Sequence, residues 1–298
     1  MKVLVTGASG LVGRALIPHL TTGGHDVVRL VRSPSGPGDL VWDPAAGLVK
    51  PEEFEGFDAV VHLAGESIAS GRWGTEKKRR IKESRVQGTQ LLAATLAGLS
   101  SPPRVLVSAS AIGVYGDRAE EELTEHSSAG SDFLADVCVS WEAATGAAEA
   151  QGVRVVHARL GVVLSPKGGA LAKMLLPFRL GGGGVIGHGG QYMSWVTLDD
   201  VVGAIGHMLA VESIKGPVNV VAPTPVTNRE FTKTLGRVLK RPTIVPLPAF
   251  AARLALGEMA EALLLASARV RPVGLLESGY LFRHTSLEDG LRHILGKA

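Results

Sequence analysis

The chain has 298 residues, enough for one large domain or for a domain with a smaller lobe. Its 45% hydrophobic and 20% charged residues are those of an ordinary globular protein, and 31 Lys and Arg against 28 Asp and Glu leave a formal charge of only +3. So mild a balance gives no reason to expect nucleic acid as a partner, and no segment reaches the apolar length of a membrane span.

A single cysteine, Cys138, excludes an internal disulfide and suits a reducing compartment. The opening MKVLVTG runs straight into a strand without the apolar segment of a signal peptide, so a cytoplasmic protein is expected. Residues 2–6 (KVLVT) form an apolar run that ends in a Gly-rich turn, the pattern of a buried parallel strand. Leu11, Ala15, Leu16 and Leu20 then recur at helical spacing until Gly23 and Gly24. A second strand is predicted over 26–32. The Pro- and Gly-rich stretch 33–50 reads as a loop with a small hairpin around Trp42.

A third strand covers 58–65, a long helix runs from Thr75 to Leu96 with Gly98 as its stop, and a fourth strand covers 104–110. The basic run KKRR at 77–80 falls inside that helix and reads as a solvated face. A helix from Asp132 to Gln151 leads into a strand at 154–160. Strands alternating with helices imply an α/β fold, a Rossmann-type doubly wound parallel sheet covered on both faces.

After about residue 165 the texture changes. A helix near 170–180 is followed by glycine clusters at 181–184 and 187–190, either a mobile loop beside a cleft or an exposed connector. A short strand at 193–197 leads into a helix starting at Leu198, another helix covers 227–240, and a helical region runs from Phe250 to the C-terminus. The expected organisation is a nucleotide-binding domain over 1–165 and a smaller C-terminal substrate lobe over 166–298. Strands of that lobe could return to the main sheet, and a helical tail begins near 248.

The motif TGASGLVG at 6–13 sits between the first strand and the first helix. Gly7 permits the tight turn, Gly10 lets backbone approach a pyrophosphate, and Gly13 lets the helix pack on the strand. Ser9, Leu11 and Val12 complete the candidate phosphate contacts, because helix N-terminal amides face an anion there. A dinucleotide is therefore expected. The end of the second strand reads LVRS, with no carboxylate for a ribose hydroxyl and with Arg32 placed to fork onto a 2′-phosphate. Arg29 is a possible helper, and the alternative is that Arg32 is a plain surface charge. NADP(H) is the expected cofactor. Nine scattered histidines and one cysteine offer no zinc spacing, and neither a G-x-S-x-G elbow nor a Walker loop is present, so no metal is expected.

Six further segments accompany the Gly-rich turn: HLAGE (62–66), SRVQGT (84–89), SASAIGVYG (108–116), FLADVCVSWEAA (133–144), RLGVVLSPKGGAL (159–171) and GPVNVVAPTPVTNREF (216–231). With the stretch 176–200 they make the chain resemble the extended short-chain dehydrogenase/reductases. Within that group it is similar to an epimerase-like family that carries a C-terminal domain of unknown function. The resemblance implies a Tyr-x-x-x-Lys pair for proton chemistry, but Cys138 stands at the Tyr position and Glu142 at the Lys position. A thiol beside a carboxylate is expected to have a raised pKa. Cys138 is then a packed side chain, a substrate or cofactor contact, or an unusual acid/base.

Glu142 could hydrogen-bond ribose hydroxyls, or act as a base if burial raised its pKa. Ser110, or Ser108, resembles the family's catalytic serine, and Tyr115 is the nearest phenol. Arg85 takes the place of an Asn in relatives and could touch the cofactor, an anionic substrate or a neighbouring carboxylate. Leu63, Ala64 and Gly65 resemble the small-residue segment along the cofactor, with Glu66 as a polar lining group. Arg159 and Trp195 are candidates for the cleft, Trp195 reading first as core. The resemblance implies an NADP(H)-dependent epimerase-like or reductase-like protein acting on an unknown small molecule, as a monomer or homodimer. The rival reading is a non-catalytic NADP(H)-binding sensor or regulator.

Overall fold

The computed structural model describes residues 1–34 and 36–297. Ser35, inside the stretch expected to be a loop, and the last residue lie outside the described set. The N-terminal elements are β1 (Lys2–Thr6), α1 (Leu11–Thr22), β2 (Asp26–Val31), β3 (Leu40–Val41), β4 (Ala59–His62), α2 (Thr75–Ala97) and β5 (Val105–Ala111). They are followed by β6 (Glu122–Leu123), α3 (Phe133–Ala143), α4 (Gly146–Ala150), β7 (Arg154–Leu160), β8 (Val162–Leu164) and α5 (Gly169–Arg179). Then come β9 (Tyr192–Met193), β10 (Trp195–Thr197), α6 (Leu198–Ala210), β11 (Gly216–Val220), β12 (Val226–Thr227) and α7 (Asn228–Leu239). The tail holds α8 (Ala249–Leu256), α9 (Glu258–Ala260), β13 (Arg269–Val270), α10 (Val273–Glu277) and α11 (Leu287–Ile294).

Seven parallel strands form the central sheet in the order β11-β7-β5-β4-β1-β2-β3. The chain winds outward one way from β1 and then returns to β4 on its other side, so the strand order reverses between β1 and β4. The carboxyl ends there part into the crevice where α/β sheets hold ligands. Alternation along β1 loads both faces. Val3 and Val5 pack with Leu16 and Leu20 of α1 and Val201, Ile205 and Met208 of α6, whereas Leu4 packs with Leu92 and Leu96 of α2, Trp42 and Phe54. A separate core joins Leu171, Leu175 and Phe178 of α5 to Trp195, Phe231, Leu235, Leu287 and Leu291.

Five expectations need correction. The strand expected over 58–65 stops at His62, because the amides of Leu63 and Ala64 leave the ladder to donate to Thr6 Oγ1 at 3.1 and 3.2 Å. The helix expected over 132–151 breaks into α3 and α4. Ala144 and Thr145 donate to residues three back, and the Thr145 hydroxyl donates to the Glu142 carbonyl at 2.8 Å, tightening the turn. The strand expected over 193–197 divides at Ser194 into β9 and β10, which pair with β12 and β8 respectively. The tail is not helical throughout: β13 pairs with β6. The glycine clusters are not an exposed connector only, since a Cβ on Gly184 would lie 1.8 Å from the Val245 carbonyl oxygen, so backbone seats directly on backbone. In the 33–50 stretch, β3 adds to the sheet and Asp43 bridges Leu48 beside Trp42. Strand β11 returns from the C-terminal half to become the sheet's edge. Among the described residues no helix is long and apolar enough to cross a membrane.

Candidate functional site

The turn between β1 and α1 is built for backbone approach. Gly7 has φ +66°, and a Cβ there would lie 2.6 Å from the Leu63 carbonyl carbon; one on Gly13 would lie 2.4 Å from the Gly7 oxygen. Ser9 and Gly10 are exposed, while Leu11 and Val12 open α1. No side chain caps that helix and no acidic residue stands in its first turn, so its N-terminal amides are left for an anion. Opposite, Thr6 fixes the 63–64 backbone and shares a hydrogen bond of 2.8 Å with His62 Nδ1, whose Nε2 meets Thr89 Oγ1 at 3.0 Å. Burial lowers His62 to about 4, so this ring is a neutral structural link.

At the end of β2, Arg32 is exposed and has no hydrogen-bond or ion-pair partner among the described residues. Arg29 is committed elsewhere: its Nε donates to Asp39 at 2.7 Å, which corrects its reading as a helper. Across the crevice the Lys77 ammonium donates to Glu66 at 2.7 Å and holds that carboxyl below its usual value, with smaller effects from Arg80 and Arg32. The KKRR run is therefore not simply a solvated face, since Lys77 is buried on Glu66 and Ser70. Arg80, the last residue of that run, is exposed, and its charge, like that of Arg32, acts on the Glu66 carboxylate, an effect the sequence does not foretell. Arg85 spans the next step, donating to the Glu66 and Ile81 carbonyls at 3.0 Å each and stacking 5.0 Å from the Trp141 ring. A Cβ on Gly65 would meet Arg85 at 3.4 Å, so Arg85 shapes the 65–66 backbone.

The third group gathers where β5, α3 and β7 end. Ser110 Oγ donates to Glu142 Oε1 at 2.6 Å, and Arg159 binds the same carboxylate in fork fashion at 2.9 and 2.8 Å. Burial alone would raise Glu142, but the Arg159 and Ser110 hydrogen bonds prevail and hold it below its ordinary value. It is a committed carboxylate, which corrects the expectation of a base with a raised pKa. Tyr115 is fully buried, donates its proton to Asn219 Oδ1 at 2.7 Å and accepts from Arg159 at 3.0 Å. Burial raises that phenol, and with its proton committed to Asn219 and no surface exposed it serves as a strut, which argues against its reading as an alternative acid. Asn219, from β11, was not foreseen because its strand lies far along the chain. Ser108 lies two residues deeper than Ser110 and is buried within the ladder.

Cys138 faces this cluster from α3. Burial first, and the Glu142 charge second, push its thiol up to about 12. It is therefore not the acid/base that its position suggests. Native protein at pH 8 should resist iodoacetamide, with a rate at least tenfold below that of the urea-unfolded chain, followed by mass spectrometry. Equal rates in the two states would show a free thiolate and defeat this reading. Trp195 is buried in the C-terminal core, with its indole donating to the Thr224 carbonyl at 3.0 Å, and is no platform for a ligand. A cavity of about 470 Å³ opens between Arg269, Arg271, Glu122 and Glu230, with balanced charges in its lining.

This assembly can be set beside known proteins. The family model described as NAD dependent epimerase/dehydratase matches residues 3–221, and a model described as a domain of unknown function, DUF1731, matches residues 247–294. Epimerase family protein Mb2239 of Mycobacterium bovis is 42% identical over 290 residues, 97% of this chain and 96% of its own. The crystal structure of human epimerase family protein SDR39U1 (isoform 2) with NADPH superposes with a TM-score of 0.91 at 36% identity, covering 100% of both chains. UDP-glucuronic acid 4-epimerase of Bacillus cereus shares the fold at a TM-score of 0.79 and 16% identity over 98% of this chain and 97% of its own. The Gly-rich switch point, the seven-stranded parallel sheet and these matches agree: the chain belongs to the NAD-dependent epimerase/dehydratase family of extended short-chain dehydrogenase/reductases.

Proposed function

We propose that this chain holds NADPH on the Gly7–Gly13 cradle, with Arg32 on the 2′-phosphate, and reduces a small carbonyl compound presented to Ser110. The observation that carries the reading is Ser110 itself: a hydroxyl at the end of β5, on the sheet edge that bears the cradle, oriented by an ion pair. The human relative crystallised with NADPH supports the choice of cofactor. When bound, NADPH supplies a hydride. Ser110 would turn its proton from Glu142 to the substrate oxygen, and Arg159 would keep Glu142 in place. Solvent must furnish the net proton, because the Cys138 thiol and the Tyr115 phenol are both raised and Glu142 is ionised near neutrality.

The absence of a strong base, the Glu142 carboxylate being held by Arg159 and made less basic by its lowered pKa, argues against epimerisation or dehydration, which need a proton removed at carbon or oxygen. It also favours, as a second reading, a non-catalytic NADP(H)-binding sensor. A cytoplasmic protein, monomeric or homodimeric, fits either reading. NADPH consumption would be followed by absorbance against a panel of aldehydes and ketones. Ser110→Ala should lower turnover by about tenfold, the worth of one hydrogen bond to the reacting oxygen, with NADPH affinity unchanged. Turnover untouched by this change would reject Ser110. Tight NADPH binding with no consumption across the panel would support the sensor.

A further inference from the structure

The structure brings together three side chains that sequence spacing keeps far apart. Asp199 stands in the first turn of α6, His293 in the last turn of α11, and His284 on the segment entering α11. Their donor atoms all lie within 4.8 Å of one another. His293 Nε2 meets Asp199 Oδ2 at 2.8 Å, and the two imidazoles lie side by side with centroids 4.6 Å apart at 33°. We propose that Asp199, His284 and His293 form a binding site for one divalent transition-metal ion of the zinc class, clamping the C-terminal helix onto α6.

Chemistry and scaffold both support the site. Two neutral imidazoles and one carboxylate give a donor set of charge −1, which suits Zn²⁺ and its borderline neighbours better than Mg²⁺ or Ca²⁺. Ligand atoms about 2.0–2.1 Å from a tetrahedral ion stand roughly 3.3 Å apart. The 2.8 Å pair must open slightly and the widest pair must close, changes within the reach of side-chain rotation alone. The backbones need not move, because each is anchored independently. Asp200, fully buried, accepts the amides of Arg283 at 2.7 Å and His284 at 3.2 Å, and takes the Thr197 hydroxyl at 2.8 Å. The adjacent Asp199 is thereby left facing outward. Helix α11 crosses close above: a Cβ on Gly290 would lie 3.2 Å from Thr197 Cγ2, 3.3 Å from the Trp195 ring and 3.5 Å from His284 Cβ. A side chain at 290 would press on these neighbours, so glycine eases the close approach that brings His293 beside His284. His293 is exposed, so water can take the fourth position.

The test uses the full chain freed of any purification tag, titrated with ZnCl₂ by calorimetry and in thermal melts. One ion per chain and a raised melting temperature are expected. His284→Gln, His293→Gln and Asp199→Asn should each weaken uptake at least tenfold, while the distant His188→Gln should leave it unchanged. Circular dichroism checks that every variant is folded. Cobalt substitution adds a second readout, since four-coordinate Co²⁺ absorbs strongly in the visible and that band should vanish in His293→Gln. Absence of saturable uptake would overturn the proposal, as would uptake indifferent to all three ligand changes. In either case the cluster is only an Asp–His pair beside a second imidazole.

Discussion

Replacing Arg32 with alanine should weaken NADPH binding by about 10- to 100-fold and leave NADH binding within about twofold. Hydrogen bonds to a charged group contribute roughly 1.5–3 kcal/mol, and each 1.4 kcal/mol is a factor of ten in affinity. The position favours a large effect. Arg32 follows β2 immediately, where the 2′-substituent of the adenosine ribose reaches the sheet in this fold. It has no competing partner among the described residues, whereas Arg29 is held by Asp39. Arg80, on α2, also acts on the Glu66 carboxylate with its charge, as Arg32 does. Arg80 should soften the loss but not abolish it. Intrinsic-fluorescence titration with both nucleotides checks the result. A mutant that loses NADPH and NADH equally would show that Arg32 supports the fold of the crevice and does not read the phosphate.

Much of this architecture is legible in the sequence because parallel sheets announce themselves. Buried on both faces, β1 and β4 read as apolar runs and β5 and β7 carry the apolar runs 105–107 and 155–156, while the Gly-rich turn after the first fixes which end carries the ligand. What stayed hidden depends on contacts between distant residues. The break between α3 and α4 turns on Thr145, whose hydroxyl serves both the Glu142 carbonyl and His157 Nε2 at 2.9 Å, and no local pattern predicts that. The two-residue strands β9, β12, β6 and β13 exist only because their partners arrive from afar. The candidate site divides the same way. Cys138 and Glu142 can be placed on α3 by motif alone, yet the partner that decides the chemistry of Glu142 is Arg159, on β7. The Asp199–His284–His293 cluster has no spacing signature at all.

That dependence on a partner leads to the largest expected change in stability. Glu142 and Arg159 are buried together, with side-chain exposures of 14% and 10%. Truncating one member of a buried pair leaves an uncompensated charge, at a cost of about 3–5 kcal/mol. Glu142→Ala should therefore lower the melting temperature by roughly 10 °C. Removing both charges leaves none stranded, so Glu142→Leu combined with Arg159→Leu should cost less than either single truncation, although Ser110 and Tyr115 each lose a partner. The pH dependence follows from the direction of the Glu142 shift. Its carboxyl is held below the ordinary 4.5 in the folded chain, so its contribution is complete above that value and fades as pH falls through the lower folded pKa. Urea denaturation at pH 7 should then show the full gap between wild type and Glu142→Ala, and denaturation near pH 4 a narrower one. If the two single losses simply add up to the loss in the double variant, the pair is not coupled.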